Sequence, residues 1–169
     1  MMERFLKTPV AFRISVVYSG LIVLALAVLN VLSCPRYPWC MYPAFGLAWW
    51  PLSAYFSGRG EPLRFAVCGA GMIAALFFLA WLFSGRSAHP WYVYPILAAL
   101  WWPLSVWGAQ NGAKRFSVVA AEYIIAMLLT INMITSPGYW WWLYPAAAVI
   151  WWPLVLHFPR SGRKEGDVS

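Results

Sequence analysis

Residues 42–52 read YPAFGLAWWPL, and the same framework returns as YPILAALWWPL at 94–104 and as YPAAAVIWWPL at 144–154. Six positions are identical in all three copies, which lie 52 and 50 residues apart. Self-similarity at a fixed period is typical of a chain built from one repeated supersecondary unit. We therefore predict one polytopic domain, residues 1–169, with repeat units at 12–60, 64–112 and 115–161.

Long apolar runs surround these segments and predict helices that cross a membrane. A helix needs about 20 mainly apolar residues to cross a hydrocarbon layer about 30 Å thick. Short connections between such runs favour antiparallel neighbours. The expected fold is an all-α membrane protein with six transmembrane helices arranged as three pseudo-repeated hairpins. The predicted spans are Ile14–Ser33, Trp39–Phe56, Phe65–Ser84, Trp91–Trp107, Phe116–Ile134 and Tyr139–Phe158.

The overall composition excludes a water-soluble domain. Apolar residues make up 63% of the chain, charged residues 10%, and the mean hydropathy is +0.66. Soluble domains carry about 25% charged residues, because their surface must be hydrated. The lipid bilayer is therefore the first expected partner.

The basic residues predict the orientation of the chain. Lysine and arginine near span ends are retained on the cytoplasmic side of a membrane. Ten of the twelve fall on one side of the predicted spans, and only Arg36 and Arg86 fall on the other. The ten are Arg4, Lys7, Arg13, Arg59, Arg64, Lys114, Arg115, Arg160, Arg163 and Lys164. We expect a multi-pass protein of the cell membrane with both termini cytoplasmic. Its net charge of +7 then faces anionic lipid headgroups and implies no nucleic-acid partner.

The connections inside the first and third repeat units follow a recognisable order: an asparagine, a proline turn, and a Trp-x-x-Tyr-Pro helix start. The residues are Leu29-Asn30, Pro38, Trp39 and Tyr42-Pro43 in one unit, and Ile131-Asn132, Ser136-Pro137-Gly138, Trp141 and Tyr144-Pro145 in the other. This order resembles the bacterial two-transmembrane (2TM) hairpin domain family. That family continues with a glycine-rich stretch, whereas this chain continues with Trp-Trp-Pro-Leu. The resemblance implies a membrane module often joined to signalling domains, and it transfers no catalytic residue.

The paired tryptophans and the proline after them are candidates for a binding site. They are Trp49, Trp50 and Pro51, then Trp101, Trp102 and Pro103, then Trp151, Trp152 and Pro153. Each pair is expected near mid-span, where an indole N–H has no water to bond. Each proline kinks its helix and frees the carbonyl four residues earlier, at Leu47 in the first repeat unit. One interpretation is a cavity of aromatic faces and carbonyls that binds a small cation or an apolar solute. The alternative is that the indoles wedge the hairpins together.

Glu122 is the one acidic residue inside a predicted span. Ionisable groups within membranes mark ion or substrate sites, or pair with a base. We expect either protonation or cation binding at this carboxylate. The alternative is that it reaches the membrane interface or pairs structurally with His157 or Arg13.

Asparagines near span ends predict helix capping, and small residues predict helix packing. Asn30 and Asn132 occur at matching places near span ends, where an amide can bond to the terminal carbonyls of the helix or across helices. Gly69, Gly71 and Ala75 permit a close helix approach on the third run.

The sulfur and imidazole residues give weaker signals. Cys34 and Cys40 flank a turn on the expected extracytoplasmic side, where a disulfide is allowed. His89 and His157 are too few and too far apart for a metal site. No catalytic set, cofactor motif or metal-ligand pattern is recognisable.

These observations favour a non-enzymatic integral membrane protein that binds or passes a small solute or cation through an aromatic-lined bundle. An alternative is an interaction or sensory module that acts through a membrane-protein partner or as a homo-oligomer, with Trp81 and Trp107 at the contact surface. A weaker alternative is an extracytoplasmic thiol redox protein that uses Cys34 and Cys40.

The orientation is testable with reporter fusions. A fluorescent protein that matures only in the cytoplasm should fluoresce at either terminus and stay dark when inserted after Arg36, because the basic residues oppose translocation of the termini. Alkaline phosphatase at the same three points should show the reverse pattern. Active phosphatase at either terminus would contradict the predicted orientation.

Overall fold

A computed structural model describes residues 10–86 and 88–158, and this part of the chain is helical, with no strand. Its helices are α1 (Val10–Ser33), α2 (Met41–Phe56), α3 (Pro62–Phe83), α4 (Val93–Asn111), α5 (Ala113–Thr135) and α6 (Leu143–His157). Each helix overlaps one predicted span. Five of the basic residues used to predict the orientation lie outside the described residues: Arg4, Lys7, Arg160, Arg163 and Lys164.

Three of the helices, α1, α3 and α5, are long and apolar enough to cross a membrane. The chain is therefore assigned to the membrane-protein class. The other three helices were also predicted as spans, but they do not meet the same criteria of length and hydropathy. One reason is length: α2 has 16 residues and α6 has 15. At ~1.5 Å per residue, these two helices are about 24 Å and 22 Å long.

The short helices begin late because tryptophan and proline occupy the turns before them. Trp39, Trp91 and Trp140 lie in these turns and not in the helices that follow. Pro43 is placed in the first turn of α2, where the missing N–H costs nothing because the first four N–H groups of a helix have no partner within it. The connection between α4 and α5 is shorter still. Gly112 alone separates them, with a φ of 84° that favours glycine.

The chain forms two compact units, Met1–Val106 and Trp107–Ser169, and the boundary falls within α4. In the first compact unit, α2 packs against both α1 and α3. In the second compact unit, α5 packs against α6.

Small residues form the buried core. The buried apolar residues of the described chain are all alanines, and the buried polar ones are serines and asparagines. They are Ala66, Ala70, Ala80, Ala99, Ala120, Ala121, Ala146, Ser15, Ser19, Ser117, Asn30 and Asn132. Small residues let helix backbones approach closely, which is how helices associate where surrounding lipid is as apolar as their side chains.

Buried positions recur at the spacing of the sequence repeat. Ser15, Ala66 and Ser117 lie 51 residues apart, and all three are fully buried. Ser15 Oγ donates to the carbonyl of Phe12, and Ser117 Oγ donates to that of Lys114, each at 2.8 Å. Corresponding residues of α1, α3 and α5 therefore lie on the packed face of each helix.

Gly69 allows aromatic rings to lie directly on α3. A Cβ atom at this position would overlap Cζ3 of Trp102 and would lie 2.8 Å from Cη2 of Trp49. Two residues further along the same helix, a Cβ atom at Gly71 would have no neighbour within 4 Å, and Ala75 is exposed. Gly69 therefore admits two aromatic side chains, whereas the close helix approach expected from Gly69, Gly71 and Ala75 stays a prediction.

Substitution of Gly69 by alanine should destabilise the protein, because the added methyl group displaces two rigid indoles. Overpacking of this kind costs about 1–3 kcal/mol. Thermal unfolding in detergent should show a lower Tm for Gly69→Ala and a Tm within error of wild type for the matched variant Gly71→Ala. Equal effects at the two glycines would contradict the packing described here.

Candidate functional site

Two of the six paired tryptophans come together in the first compact unit. The rings of Trp49 and Trp102 lie 5.9 Å apart between centroids, at an angle of 32°. Phe65 of α3 meets Trp102 edge to face at 5.4 Å and 89°, and meets Trp49 at 6.3 Å. These three rings, which we call the indole cluster, join α2, α3 and α4. Edge-to-face pairs of this kind stabilise packing by about 0.5–1.5 kcal/mol beyond the area they bury.

The second compact unit repeats part of this cluster. Phe116 of α5 meets Trp152 of α6 edge to face, at 5.9 Å and 83°. Phe116 and Trp152 correspond to Phe65 and Trp102 in the sequence repeat. The same aromatic pair therefore forms in both compact units.

The other paired tryptophans lie at the surface of the chain. Trp151 is 68% exposed and Trp50 is 48% exposed, while Trp101 and Trp152 are 37% and 38% exposed. Within each compact unit, the indoles therefore do not converge on one aromatic cavity.

The two tryptophans outside the repeated pattern, proposed from the sequence as a contact surface, are both partly covered. Trp81 packs against Tyr92, with 4.8 Å between ring centroids. Trp107 is half-buried, and its carbonyl accepts a hydrogen bond from Asn111 Nδ2 at 2.8 Å. Among the tryptophans that lie within the described helices, the two most exposed, Trp151 and Trp50, thus belong to the repeated motif itself.

The first compact unit has a groove beside the kink proline of α2. A volume of about 370 Å³ lies between α1, α2 and α3, and its lining is apolar: Phe12, Val16, Ala48, Pro51, Leu52, Tyr55, Phe56, Cys68 and Met72. Charged groups lie near one end of it. The Arg59 guanidinium stands 3.9 Å above the Tyr55 ring, and Arg64 pairs with Glu61 at 3.0 Å. The paired tryptophans do not line this groove.

One carbonyl freed by a proline accepts a hydrogen bond from another helix. Pro51 leaves the Leu47 carbonyl without its helical partner, and the buried Ser19 donates its hydroxyl to that oxygen at 3.2 Å. This bond ties α1 to the kink of α2. The residues that correspond to Ser19 in the other repeat units are Ala70 and Ala121, which have no hydroxyl to donate.

Glu122 lies on the exposed face of α5. Its carboxylate has no hydrogen-bond or ion-pair partner among residues 10–86 and 88–158. His157, one of the bases expected to pair with it, bonds through Nδ1 to the carbonyl of Pro153 at 2.8 Å. The Nε atom of Arg13, the other base, is buried without a hydrogen-bond partner. Neither of the two expected bases therefore pairs with this carboxylate in the part of the chain that the structure describes.

Asn30 holds the turn that contains the two cysteines. Its Nδ2 donates to the carbonyls of Cys34 and Tyr37, and its Oδ1 accepts from the Cys40 backbone N–H at 2.9 Å. Cys34 and Cys40 are free thiols in the structure, so the disulfide between them stays a prediction.

Asn132 makes fewer bonds in the corresponding turn. Its Nδ2 donates to the Ser136 carbonyl at 3.1 Å, but its Oδ1 is buried with no hydrogen-bond partner. Both asparagines bond to carbonyls beyond the helix end, as expected. The turn of the third hairpin nonetheless lacks the bond that closes the turn of the first.

Two polar aromatic contacts in the turns were not predicted from the sequence. Tyr37 and Tyr42 share a hydrogen bond between hydroxyls at 2.5 Å, and His89 Nε2 bonds to the Tyr94 hydroxyl at 2.9 Å. Residues 37 and 89 correspond in the repeat, as do residues 42 and 94. The tyrosine of the Tyr-Pro motif is visible in every copy, but its partners differ in residue type, so the repeat does not reveal them.

The described residues contain no group of three or more His, Cys, Asp or Glu side chains that could hold a metal ion. Comparison with known protein families, with curated protein sequences and with solved structures found no match.

The two asparagines should differ in their contribution to stability. Asn30→Ala removes three hydrogen bonds, whereas Asn132→Ala removes one and also removes a buried oxygen that lacks a partner. At about 1 kcal/mol for each net bond, Asn30→Ala should lower the free energy of unfolding by roughly 2–3 kcal/mol, and Asn132→Ala by less than about 1 kcal/mol. Denaturation in mixed micelles measures both. A larger loss for Asn132→Ala would contradict these bonding patterns.

Proposed function

We propose that this chain is a non-enzymatic membrane module that acts through lateral contacts with another polypeptide in the membrane. In this proposal all six helices cross the cell membrane as three hairpins, and both termini are cytoplasmic. The short helices α2 and α6 are accommodated by local thinning of the bilayer and by tryptophans in the turns before them. The resemblance of the turns to 2TM hairpin domains, which are membrane modules, fits this proposal.

The observation that carries the proposal is that side chains with an N–H or carboxylate group are exposed on apolar helices. Trp50 and Trp151 are exposed at 48% and 68%, and both lie more than two turns after the start of their helices. An indole N–H in hydrocarbon needs an acceptor, and lipid tails supply none. Glu122 is exposed on α5 and has no partner in the described chain. Groups of this kind favour a second polypeptide that covers them.

A second candidate function is passage of a small cation or apolar solute, and Glu122 is the observation in its favour. A carboxylate that pairs with no base among the described residues can bind a cation or a proton. In the first compact unit, however, the described cavities are not lined by the paired tryptophans. The described cavities of this compact unit therefore provide no aromatic-lined route.

A photo-crosslinking experiment tests the lateral contact. A photoreactive amino acid at residue 151 should crosslink to a polypeptide in native membranes, whereas the same group at Leu24, which is 63% exposed on α1, should label lipid. Lipid labelling alone at both positions, with the protein folded, would contradict the proposal.

A flux assay in liposomes separates the second candidate from the first. If the chain conducts cations, wild-type protein should transport them and Glu122→Gln should lose that transport, because the amide cannot carry the charge. If the chain is an interaction module, neither protein should transport cations from a broad panel. Transport by wild type that fails in the variant would favour the second candidate.

A further inference from the structure

The apolar groove beside Pro51 continues toward the basic end of the first compact unit. Helix α2, which packs against both α1 and α3, contributes most of its lining. A second cavity of about 470 Å³ shares Tyr55, Phe56 and Cys68 with the groove, so the two volumes adjoin. The rest of its lining is Glu61, Leu63, Arg64 and Val67. We call the two volumes together the α1–α3 groove.

The α1–α3 groove runs parallel to the helices. Residues four apart lie on one face of a helix, and the lining of α3 follows this spacing through Arg64, Cys68 and Met72. Phe12 and Val16 repeat the spacing on α1. At ~1.5 Å per residue, the groove extends about 12 Å along α3. Because α1 and α3 are long and apolar enough to cross a membrane, this is also the direction in which an acyl chain lies in a bilayer.

The α1–α3 groove is open to the surroundings of the chain. Three of its lining residues, Tyr55, Val67 and Cys68, are exposed. A ligand can therefore enter it sideways from the hydrocarbon layer, without a passage through the protein.

Three arginines lie at one end of the groove, where α1 and α3 begin and α2 ends. Arg64 bonds to both oxygens of the Glu61 carboxylate at 3.0 Å, so these two charges offset each other. Arg59 stands over the Tyr55 ring and has no carboxylate partner among the described residues. Arg13 is in the first turn of α1, and its Nε atom is buried with no hydrogen-bond partner there. This end of the groove therefore carries excess positive charge.

An apolar length that ends at unpaired arginines matches the chemistry of an anionic phospholipid. The acyl chain needs hydrocarbon contacts and no hydrogen bonds, which the apolar part of the groove provides. The phosphate needs charged donors, and arginine binds phosphate through the planar fork of its guanidinium. The predicted orientation places these arginines on the cytoplasmic side, where basic pockets between membrane helices bind anionic headgroups.

We propose that the α1–α3 groove binds an anionic phospholipid, with one acyl chain beside Pro51 and the phosphate held by Arg59 and Arg13. The bound lipid fills the space between α1 and α3 and stabilises the first compact unit. This site goes beyond the proposed function, since it uses neither the exposed tryptophans nor a second polypeptide.

Titration of the purified full-length protein with defined lipids tests the site. The protein in dodecyl maltoside receives dioleoyl phosphatidylglycerol or dioleoyl phosphatidylcholine, and native mass spectrometry measures the bound lipid and its apparent Kd. We expect phosphatidylglycerol to bind at least roughly 5-fold more tightly, because only this lipid has a net negative charge. Glycerol phosphate, which has no acyl chain, should not displace it. Equal affinity for the two lipids would overturn the proposal, as would displacement by glycerol phosphate at the concentration of the lipid.

Charge variants locate the headgroup. Arg59→Ala should weaken phosphatidylglycerol binding by roughly 5-fold, the effect of one basic residue near an anionic headgroup. The matched control is Arg86→Ala, which removes an exposed arginine from the other side of the predicted spans. This control should leave the Kd unchanged. Equal losses in the two variants would overturn the proposal, because they would show that only the net charge of the protein matters.

A second pair of variants locates the acyl chain. Cys68→Trp places an indole where the two volumes meet, so it should weaken phosphatidylglycerol binding although every arginine remains. Ala25→Trp adds the same ring at an exposed position of α1 outside the groove and should have no effect. Thermal unfolding without lipid reports whether each variant is folded, and Cys68→Leu replaces Cys68→Trp if the indole prevents folding.

Undiminished binding to a folded Cys68 variant would overturn the groove as the acyl-chain site. None of these substitutions removes a paired tryptophan, so the outcome is independent of the photo-crosslink at residue 151. A failed lipid site therefore leaves the proposed lateral function intact, and a failed crosslink leaves the lipid site intact.

Discussion

Close approach of helix backbones is the constraint on which the rest of this structure depends. Lipid offers no hydrophobic drive for helices to associate, so packing distance decides which pairs are stable. The buried positions are consequently Ala, Ser and Asn, and large side chains are displaced to the outside or to helix ends. Where large rings do enter a junction, as at the indole cluster, a glycine makes the space for them. The distribution of small residues therefore determines where aromatic groups can meet.

Much of the helical framework could be predicted from the sequence. The uncharged apolar runs located all six described helices, and the paired asparagines were expected to bond to carbonyls at helix ends. Both depend on local chemistry: hydrophobic length, turn residues and capping. The number of membrane crossings stays a prediction, because α2 and α6 are shorter than the spans expected from the sequence.

The sequence could not predict which way each tryptophan faces. A repeated motif fixes the position of a residue along its helix, but it does not fix the rotation of that helix about its axis. Trp49 and Trp102 meet, although they are the first and the second members of their pairs. The sequence also could not predict that Ser19 donates a hydrogen bond to the Leu47 carbonyl, which Pro51 leaves without its helical partner. Ser19 is 28 residues from Leu47, and the other repeat units have alanine in its place, so neither local pattern nor repeat pointed to this bond. Tertiary contacts such as these depend on which faces oppose each other.

The two asparagine turns differ in how many hydrogen bonds a substitution would break. The Asn30 side chain makes three hydrogen bonds to backbone groups. A substitution there leaves all three of these groups in need of a new partner. Asn132 has one bond and an oxygen with no partner, so its turn can accept new residues one at a time. The run of three tryptophans at 140–142, where the first hairpin has Pro-Trp-Cys, lies in the less constrained turn. A new surface can therefore be built in the turn of the third hairpin with the loss of fewer hydrogen bonds than in the turn of the first.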